Sequence, residues 1–439
     1  MSEHVSEAEA TKAVDPQTVK KVAVAALVGT ALEWYDFFLF TTASALVFNV
    51  QYFVSGDPVV STMEAFGTLA VGFVARPIGG LIFGHLGDKY GRRLCLMVTI
   101  IGIGAVTALI GLLPNYMSIG MAAPIFLIAL RILQGLAVGG EWSGAVTIAV
   151  EHAPIKQRAR FAAMPQLGSP IGTLLSSGGF FLVVFLSSQA SFDAWGWRIP
   201  FLLSIPFLLI SVLIRRSLSE SPVFNELLEA GEKESAPIKQ VLIKTPIQLV
   251  LGIAVALLGI GGFYLVTTFV ISYGTQTLGL SSQLMLFGTL IAAALEIPVL
   301  LYGGRLGERF GASRVAIWGG VVSAAVAYPA FLLVETKNPV LVVVGMTVAV
   351  AALSFPYAAS GTILTGLFPA RLRYTGVAIS SNMAGVVSGF VPLIATAVVA
   401  AAGQSYWPAA LMLVIISLIT ATGGMLAPRM SINEKGLKH

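Results

Sequence analysis

The stretch Gly84-His85-Leu86-Gly87-Asp88-Lys89-Tyr90-Gly91-Arg92-Arg93 joins two apolar segments, each long enough to cross a membrane as a helix. Its order of Gly, Leu, Gly, acid, base, aromatic and Gly returns 220 residues later, in Gly304-Arg305-Leu306-Gly307-Glu308-Arg309-Phe310-Gly311. Both copies follow the second apolar segment of a half of the chain. A repeat at this spacing predicts two halves that have the same orientation in the membrane.

The composition indicates a polytopic membrane protein. Of the 439 residues, 56% are hydrophobic and only 11% are charged, whereas a soluble domain has about 25% charged residues. The sequence pI is 9.3, but excess Lys and Arg in short loops fixes membrane orientation, so we expect a lipid bilayer and no nucleic acid as partner. A single cysteine, Cys95, excludes an internal disulfide and a thiol-based metal cluster.

Twelve apolar segments predict the fold class. Each has roughly the 20 residues that a helix needs to cross the hydrocarbon layer, and none alternates with the period of two expected of a barrel strand. The sequence therefore predicts an all-α polytopic membrane protein with twelve transmembrane helices in two six-helix bundles. The segments lie at roughly 22–50, 61–86, 94–113, 119–148, 161–187, 197–215, 246–274, 283–304, 313–334, 339–367, 374–402 and 406–428.

The basic residues predict the topology. They are concentrated in the loops of one side, whereas the loops of the other side contain only Arg198 and Lys337. We therefore expect both termini in the cytoplasm and the protein in the plasma membrane, with no cleavable signal peptide. The predicted regions are a cytoplasmic tail (1–20), an N-terminal bundle (21–215), a cytoplasmic linker (216–244), a C-terminal bundle (245–428) and a cytoplasmic tail (429–439).

Charged residues inside the apolar segments are the candidates for function, because each costs several kcal/mol in the bilayer without a partner or a water-filled cavity. Glu33 and Asp36 lie three residues apart in the first segment, on one helix face near mid-depth. Two such acids cannot both ionise cheaply, so at least one is a candidate proton carrier. The alternative is that both acids pair with arginines and only join helices. The other charged residues of this kind are Arg76, Arg131, Glu141 and Glu296.

The stretch from Arg131 to Trp142 contains several glycines that would let helices pack closely. Arg131 stays charged at any relevant pH, so it can bind a carboxylate or act on a nearby acid. Glu141 could instead cap the basic cytoplasmic loops. Prolines at 165 and 170 predict a break in the helix of the fifth segment. A polar stripe such as that around Tyr264 could line a cavity, but such stripes serve packing between helices equally often. The candidate substrate-binding residues are Tyr35, Arg76, Arg131, Gln134, Glu141, Trp142, Gln166, Tyr264 and Asn382.

The repeated charged stretch is a candidate cytoplasmic gate. An acid such as Asp88 beside a helix end can accept hydrogen bonds from backbone N–H groups and from arginines of a neighbouring loop. Such contacts would close the cytoplasmic face in one conformation and break in the other. The alternative is a topology signal without a gating role. The candidate gate residues are Gly84, Asp88, Lys89, Gly91, Arg92, Arg93, Glu308, Arg309 and Arg373.

Motifs for catalysis and nucleotide binding are missing from the sequence. It has no GxxxxGK[ST] phosphate loop, no HExxH zinc motif and no GxSxG nucleophile motif. We therefore expect neither an enzyme nor a cofactor or metal site. Any transport would then draw its energy from an ion gradient.

The charged stretch Gly84–Arg93 resembles the loop 2–3 signature of the major facilitator superfamily, and Arg131-Ile-Leu-Gln134-Gly135 resembles its helix 4 signature, often tied to proton coupling. The resemblance covers residues 20 to 428. It implies proton-coupled symport of a small organic acid by alternating access, as in carriers of shikimate, α-ketoglutarate, citrate or proline/betaine, by a monomer with the proton as coupling ion. Further stretches similar to the metabolite:proton symporter subfamily are Gly29–Phe38, Arg76–Gly80, Gly139–Trp142, Trp195–Pro200 and Arg373–Gly376.

Three departures keep alternatives open. The chain ends soon after Arg429 without a heptad extension, which disfavours the osmosensing proline/betaine type. The second copy of the charged stretch lacks the double arginine, which implies a weaker gate in that half. Gly168-Ser169-Pro170 resembles an antiporter signature, so exchange of a small metabolite is one alternative. A membrane sensor that has lost transport is another.

Overall fold

The computed structural model describes residues 16–90, 92–138, 157–216 and 237–431. Within these ranges the chain is helical and contains no β-strand, which confirms the predicted all-α fold. Eight of the described helices are long and apolar enough to span a membrane, and three more are shorter and apolar. The helices are α1 (Pro16–Ala43), α2 (Pro58–Tyr90), α3 (Arg92–Leu112), α4 (Ala122–Ala137), α5 (Arg158–Leu186), α6 (Ile199–Leu202 and Ser204–Arg216), α7 (Pro246–Thr277), α8 (Ser282–Phe310), α9 (Ala312–Glu335), α10 (Pro339–Leu367), α11 (Ala370–Gly389 and Val391–Ala401) and α12 (Trp407–Met430).

Close packing of glycines fixes the helix pairs of the first half. A Cβ added at Gly135 of α4 would meet the Cβ of Ala75 of α2 at 3.0 Å. A Cβ at Gly168 of α5 would lie 2.7 Å from the Cβ of Thr30 on α1, and one at Gly172 would lie equally near Trp34. Small residues thus let α1, α2, α4 and α5 approach closely. In lipid, such close packing stabilises helix pairs because the hydrophobic effect does not drive their association.

The first helices of the two halves both contain irregular turns. π-Helical stretches interrupt α7 at Leu258–Gly262, Leu265–Phe269 and Tyr273–Thr277, and another follows α1 at Ser44–Phe48. Such turns are frequent at functional sites because they re-aim side chains without ending the helix. The predicted break in the fifth segment is smaller, a single 3₁₀ turn over Pro165–Leu167.

Most of each charged stretch continues a helix, which therefore extends beyond the predicted segments 61–86 and 283–304. α2 continues to Tyr90 and α3 begins at Arg92, while α8 continues to Phe310 and ends before Gly311, whose φ is +91°. A glycine in a helix costs only about 1 kcal/mol relative to alanine. Packing against a neighbouring helix offsets this cost at Gly304, where a Cβ would lie 3.1 Å from the Cβ of Ala163.

The two halves meet at the end of the bundle that is predicted to face the cytoplasm. Gly304 of α8 packs on Ala163 of α5, and a Cβ at Gly307 would lie 3.1 Å from the Cβ of Ala159. We call the contact between these four residues the α5–α8 seam. It joins the two halves at that end.

The halves also meet at the opposite end. The Thr62 hydroxyl of α2 donates to Oε1 of Gln276 on α7 at 2.9 Å. Gln283 of α8 donates to the carbonyl of Val184 on α5 at 3.4 Å. The two halves therefore contact each other at both ends.

The predicted linker and tails lie partly outside the described residues, which exclude 1–15, 217–236 and 432–439. A short helix, Pro237–Lys244, falls within the predicted linker, and its Val241 is buried in the hydrophobic core of the second half. The domain boundaries themselves stay predictions.

Candidate substrate and proton site

An ion pair joins α1 to α2 in the middle of the first half. Nη2 of Arg76 lies 3.1 Å from Oε1 of Glu33, and both side chains are buried. The Arg76 guanidinium also stacks on the Phe37 ring, with its carbon 3.6 Å from the ring centre. Glu33 therefore has a joining role, as the alternative interpretation of the acid pair proposed.

Asp36 has different partners. Nε2 of Gln134 on α4 donates to Oδ2 at 2.5 Å, and the hydroxyl of Thr107 on α3 donates to Oδ1. The same Gln134 nitrogen lies 2.9 Å from the Thr107 oxygen, which closes the network. Asp36 is thus held by neutral groups from two helices and forms no ion pair with a described residue.

Arg131 completes the group from the other side of Gln134. Its Nη1 donates to Oε1 of Gln134, while its Nε and Nη2 have no hydrogen-bond partner in the described chain. The guanidinium is 0% exposed and lies over two aromatic rings, 4.1 Å from the centre of Phe40 and 4.8 Å from that of Phe37. A buried cation with unused donors is suited to bind an anion. The polar cluster consists of Glu33, Asp36, Arg76, Thr107, Arg131 and Gln134.

The second half faces this cluster with α7 and α10. Tyr264 packs edge-on against Phe73 and Phe38, at ring distances of 5.6 and 6.1 Å, and its buried hydroxyl has no hydrogen-bond partner among the described groups. Gln166 of α5 reaches across the interface, where its amide donates to the carbonyl of Tyr357 at 3.2 Å and to the Ser360 hydroxyl at 3.0 Å. Gln166 therefore joins the halves directly.

Two predicted binding residues lie apart from the cluster. The Tyr35 hydroxyl donates to the carbonyl of Pro200 at 2.5 Å, and its ring packs on Phe207 of α6 at 5.0 Å. Asn382 donates to the carbonyl of Ala378 in its own helix at 2.9 Å. Two others, Glu141 and Trp142, lie outside the described residues.

The gate residues are described only in part. Gly91 and the side chains of Asp88, Lys89, Arg92 and Arg93 lie outside the described part of the chain, as does the surrounding of Gly84. Glu308 and Arg309 are exposed at the end of α8. Nε of Arg373 donates to the carbonyl of Thr365 at the end of α10, at 2.9 Å. The gate stays a prediction.

Sequence reasoning missed Thr107 and Tyr357. A single threonine in an apolar segment carries no distinctive pattern, and only the packing of α3 on α1 brings it to Asp36. Tyr357 follows Pro356 in α10 and is buried. Its contact with Gln166 depends on how the halves dock, which no local pattern encodes.

Comparisons with known proteins identify the family. Residues 21–248 match the family described as "Sugar (and other) transporter". The shikimate transporter of Escherichia coli (strain K12) is 36% identical over 414 residues, which cover 93% of this chain and 94% of the relative. The chain belongs to the major facilitator superfamily.

Other members support the same placement. The Escherichia coli (strain K12) proline/betaine transporter is 32% identical over 421 residues, 93% of this chain and 83% of that relative. The fold matches that of the major facilitator proton:xylose symporter XylE with a TM-score of 0.75 at 16% identity, over 96% of this chain and 98% of that one. These findings confirm the resemblance stated from the motifs, the twelve-helix fold and the expectation of a multi-pass transporter of a small molecule, which is not an enzyme.

Proposed function

We propose that this member of the superfamily carries a small carboxylate together with a proton across the plasma membrane by alternating access. In this proposal the protein is a monomer with both termini in the cytoplasm, and the proton is the coupling ion. Asp36 carries the proton, and the arginines of the polar cluster provide the counter-charge for the carboxylate.

The observation that carries the proposal is the state of Arg131, a fully buried guanidinium in which two nitrogens donate no hydrogen bond within the described chain, beside an acid that neutral groups hold. With Glu33 and Asp36 ionised, the two acids balance the two arginines of the cluster. A proton on Asp36 leaves one positive charge unbalanced in a medium of low dielectric constant, where charge is costly. A substrate carboxylate would restore the balance, so proton and anion would bind together.

The name of one relative fits this charge balance. It is a transporter of shikimate, which is an anion, whereas the proline and betaine in the name of another relative have a cationic nitrogen beside the carboxylate. The resemblance to an antiporter signature at Gly168–Pro170 does not add a separate site, because Gly168 packs on Thr30 and serves the α1–α5 contact. Symport is therefore the stronger proposal.

The experiment has two stages. A thermal-shift screen of the purified protein against small carboxylates, with shikimate, proline and betaine included, identifies a ligand. Proteoliposomes then receive that ligand under an imposed inward proton gradient. Accumulation that a protonophore abolishes supports the proposal. Exchange without net accumulation would instead indicate an antiporter, and binding without either flux would indicate a sensor.

The charge of the ligand provides the second readout. The proposal expects carboxylates to stabilise the protein and their amides or methyl esters to have little effect, because a neutral ligand cannot balance Arg131. Tight binding of a neutral solute with no binding of its carboxylate counterpart contradicts the proposal.

A further inference from the structure

A second buried acid lies in the other half of the protein, outside the polar cluster. Glu296 of α8 is 0% exposed, and neither of its carboxyl oxygens has a hydrogen-bond partner in the described chain. The nearby Tyr357 hydroxyl of α10 is buried without a partner too, and the two groups lie within electrostatic reach of each other. Nothing in the proposed substrate and proton site uses this acid.

Apolar side chains adjoin Glu296 along α8. Its neighbours in α8, Ile297 and Leu300, pack with Leu167 of α5 and Ala358 of α10 in one small hydrophobic cluster. An ionised carboxylate without a partner is unfavourable in such a medium, so a carboxyl group there retains its proton instead.

Glu296 lies close to the α5–α8 seam, where the two halves would separate during transport. The same cluster contains Ala163, which packs on Gly304 in the α5–α8 seam two helical turns further along α8. Alternating access requires the halves to separate on this side, and separation at the seam would admit water beside Glu296. A hydrated carboxyl can ionise, whereas the enclosed one cannot.

We propose that Glu296 is a second proton-binding site, which takes up a proton when the α5–α8 seam closes and releases it when the seam opens. This assignment builds on the proposed proton coupling, but it requires neither the substrate nor Asp36. Because the closed seam binds one proton more than the open seam, closure is favoured at low pH. As pH rises the closed fraction falls, by up to about tenfold per pH unit in the closed-to-open ratio.

Among the described residues, few charged or titratable groups lie near Glu296. The Glu296 carboxyl interacts electrostatically with Tyr357. Glu33 of the first half and Tyr264 of α7 interact electrostatically with the same tyrosine. The remaining charged side chains of α5, α8 and the start of α9 are exposed; they are Arg158, Arg160, Arg305, Glu308, Arg309 and Arg314.

Spin labels on both sides of the seam test the proposal without substrate. Arg158 and Arg305 are exposed and lie on α5 and α8, so Arg158→Cys and Arg305→Cys in a Cys95→Ser background report the separation by pulsed electron resonance. In lipid nanodiscs we expect the closed population to decrease from acidic to alkaline pH. Glu296→Gln, the neutral isostere of the protonated acid, should stay closed throughout.

Three further variants complete the test. Glu296→Asp keeps an acid at the site and should keep a pH-dependent seam, which separates loss of titration from loss of folding. Glu64→Gln removes an exposed acid of α2 and should change nothing. Asp36→Asn should also leave the pH dependence in place. A pH profile in Glu296→Gln equal to that of the parent, or a parent seam insensitive to pH, overturns the second site while leaving proton-coupled uptake through Asp36 to be judged separately.

Discussion

Nε2 of Gln134 lies 2.5 Å from Oδ2 of Asp36, while Oε1 of the same amide accepts a hydrogen bond from Arg131. A neutral side chain therefore stands between the buried acid and the buried arginine. A direct ion pair would hold the acid as a carboxylate and use the arginine's donors. In the proposed function this bridge lets Asp36 exchange a proton and Arg131 bind an anion.

The bridge gives the first prediction. Gln134→Leu removes both hydrogen bonds to charged groups, each of about 1.5–3 kcal/mol, so we expect proton-driven uptake to decrease by about tenfold or more. Gln189→Leu is the matched control, because Gln189 is exposed and donates to Asp193 of its own short helix at 2.9 Å. Uptake assays in proteoliposomes compare the two. Equal uptake by the Gln134 variant and the control contradicts the bridging role.

The second prediction concerns the shape of the cation. Arg131→Lys keeps the charge but removes the fork that binds Gln134 and would bind a carboxylate, so ligand affinity should decrease by about tenfold or more. Arg305→Lys, at an exposed position of α8, should leave affinity unchanged. Isothermal titration with the ligand from the screen measures both. Unaltered affinity in Arg131→Lys would place the carboxylate elsewhere.

The third prediction tests the α5–α8 seam with a larger side chain at one of its glycines. A side chain at Gly304 begins 3.1 Å from the Cβ of Ala163, so Gly304→Val should prevent closure and raise the open population. Gly366→Val is the control, since a Cβ at Gly366 has no neighbour within 4 Å. The Arg158–Arg305 label pair reports the populations. If both valine variants close as the parent does, the seam is not a closing contact.

The fourth prediction concerns Asp88 at the end of α2, whose side chain lies outside the described residues. If it binds the start of α11 near Gly376, its charge-assisted hydrogen bonds of about 1.5–3 kcal/mol each can shift a two-state equilibrium by about tenfold or more. Asp88→Asn should then favour the inward-open state and slow transport while binding is retained. Thiol labelling at position 376 in a Cys95→Ser background measures this. Equal labelling in both proteins would reduce the stretch to a topology signal.

The sequence predicted the helices well, because a run of about 20 apolar residues has few alternatives in lipid. Of the charged residues predicted inside the membrane, all but Glu141, which lies outside the described residues, are buried in the bundle; they are Glu33, Asp36, Arg76, Arg131 and Glu296. The sequence did not predict that Gly304 and Gly307 continue α8, since glycine stretches also form turns. Their role depends on Ala159 and Ala163 of another helix, 141 or more residues away.

The partners of the two acids of α1 could not be predicted either. Glu33 and Asp36 share a helix face, and the sequence offers two arginines for two acids. In the folded chain Arg76 pairs with Glu33, whereas Gln134 intervenes between Arg131 and Asp36. Rotation and docking of helices decide such contacts, and local periodicity contains no information about them.

The most direct test of the proposed function is Asp36→Asn, because an amide cannot carry a proton. In proteoliposomes we predict that this variant loses accumulation driven by a proton gradient but retains binding and substrate counterflow, which requires no net proton movement. Glu64→Gln, an exposed acid of α2, should behave as the parent. Uphill accumulation by Asp36→Asn at the parent's level would contradict proton coupling through this residue.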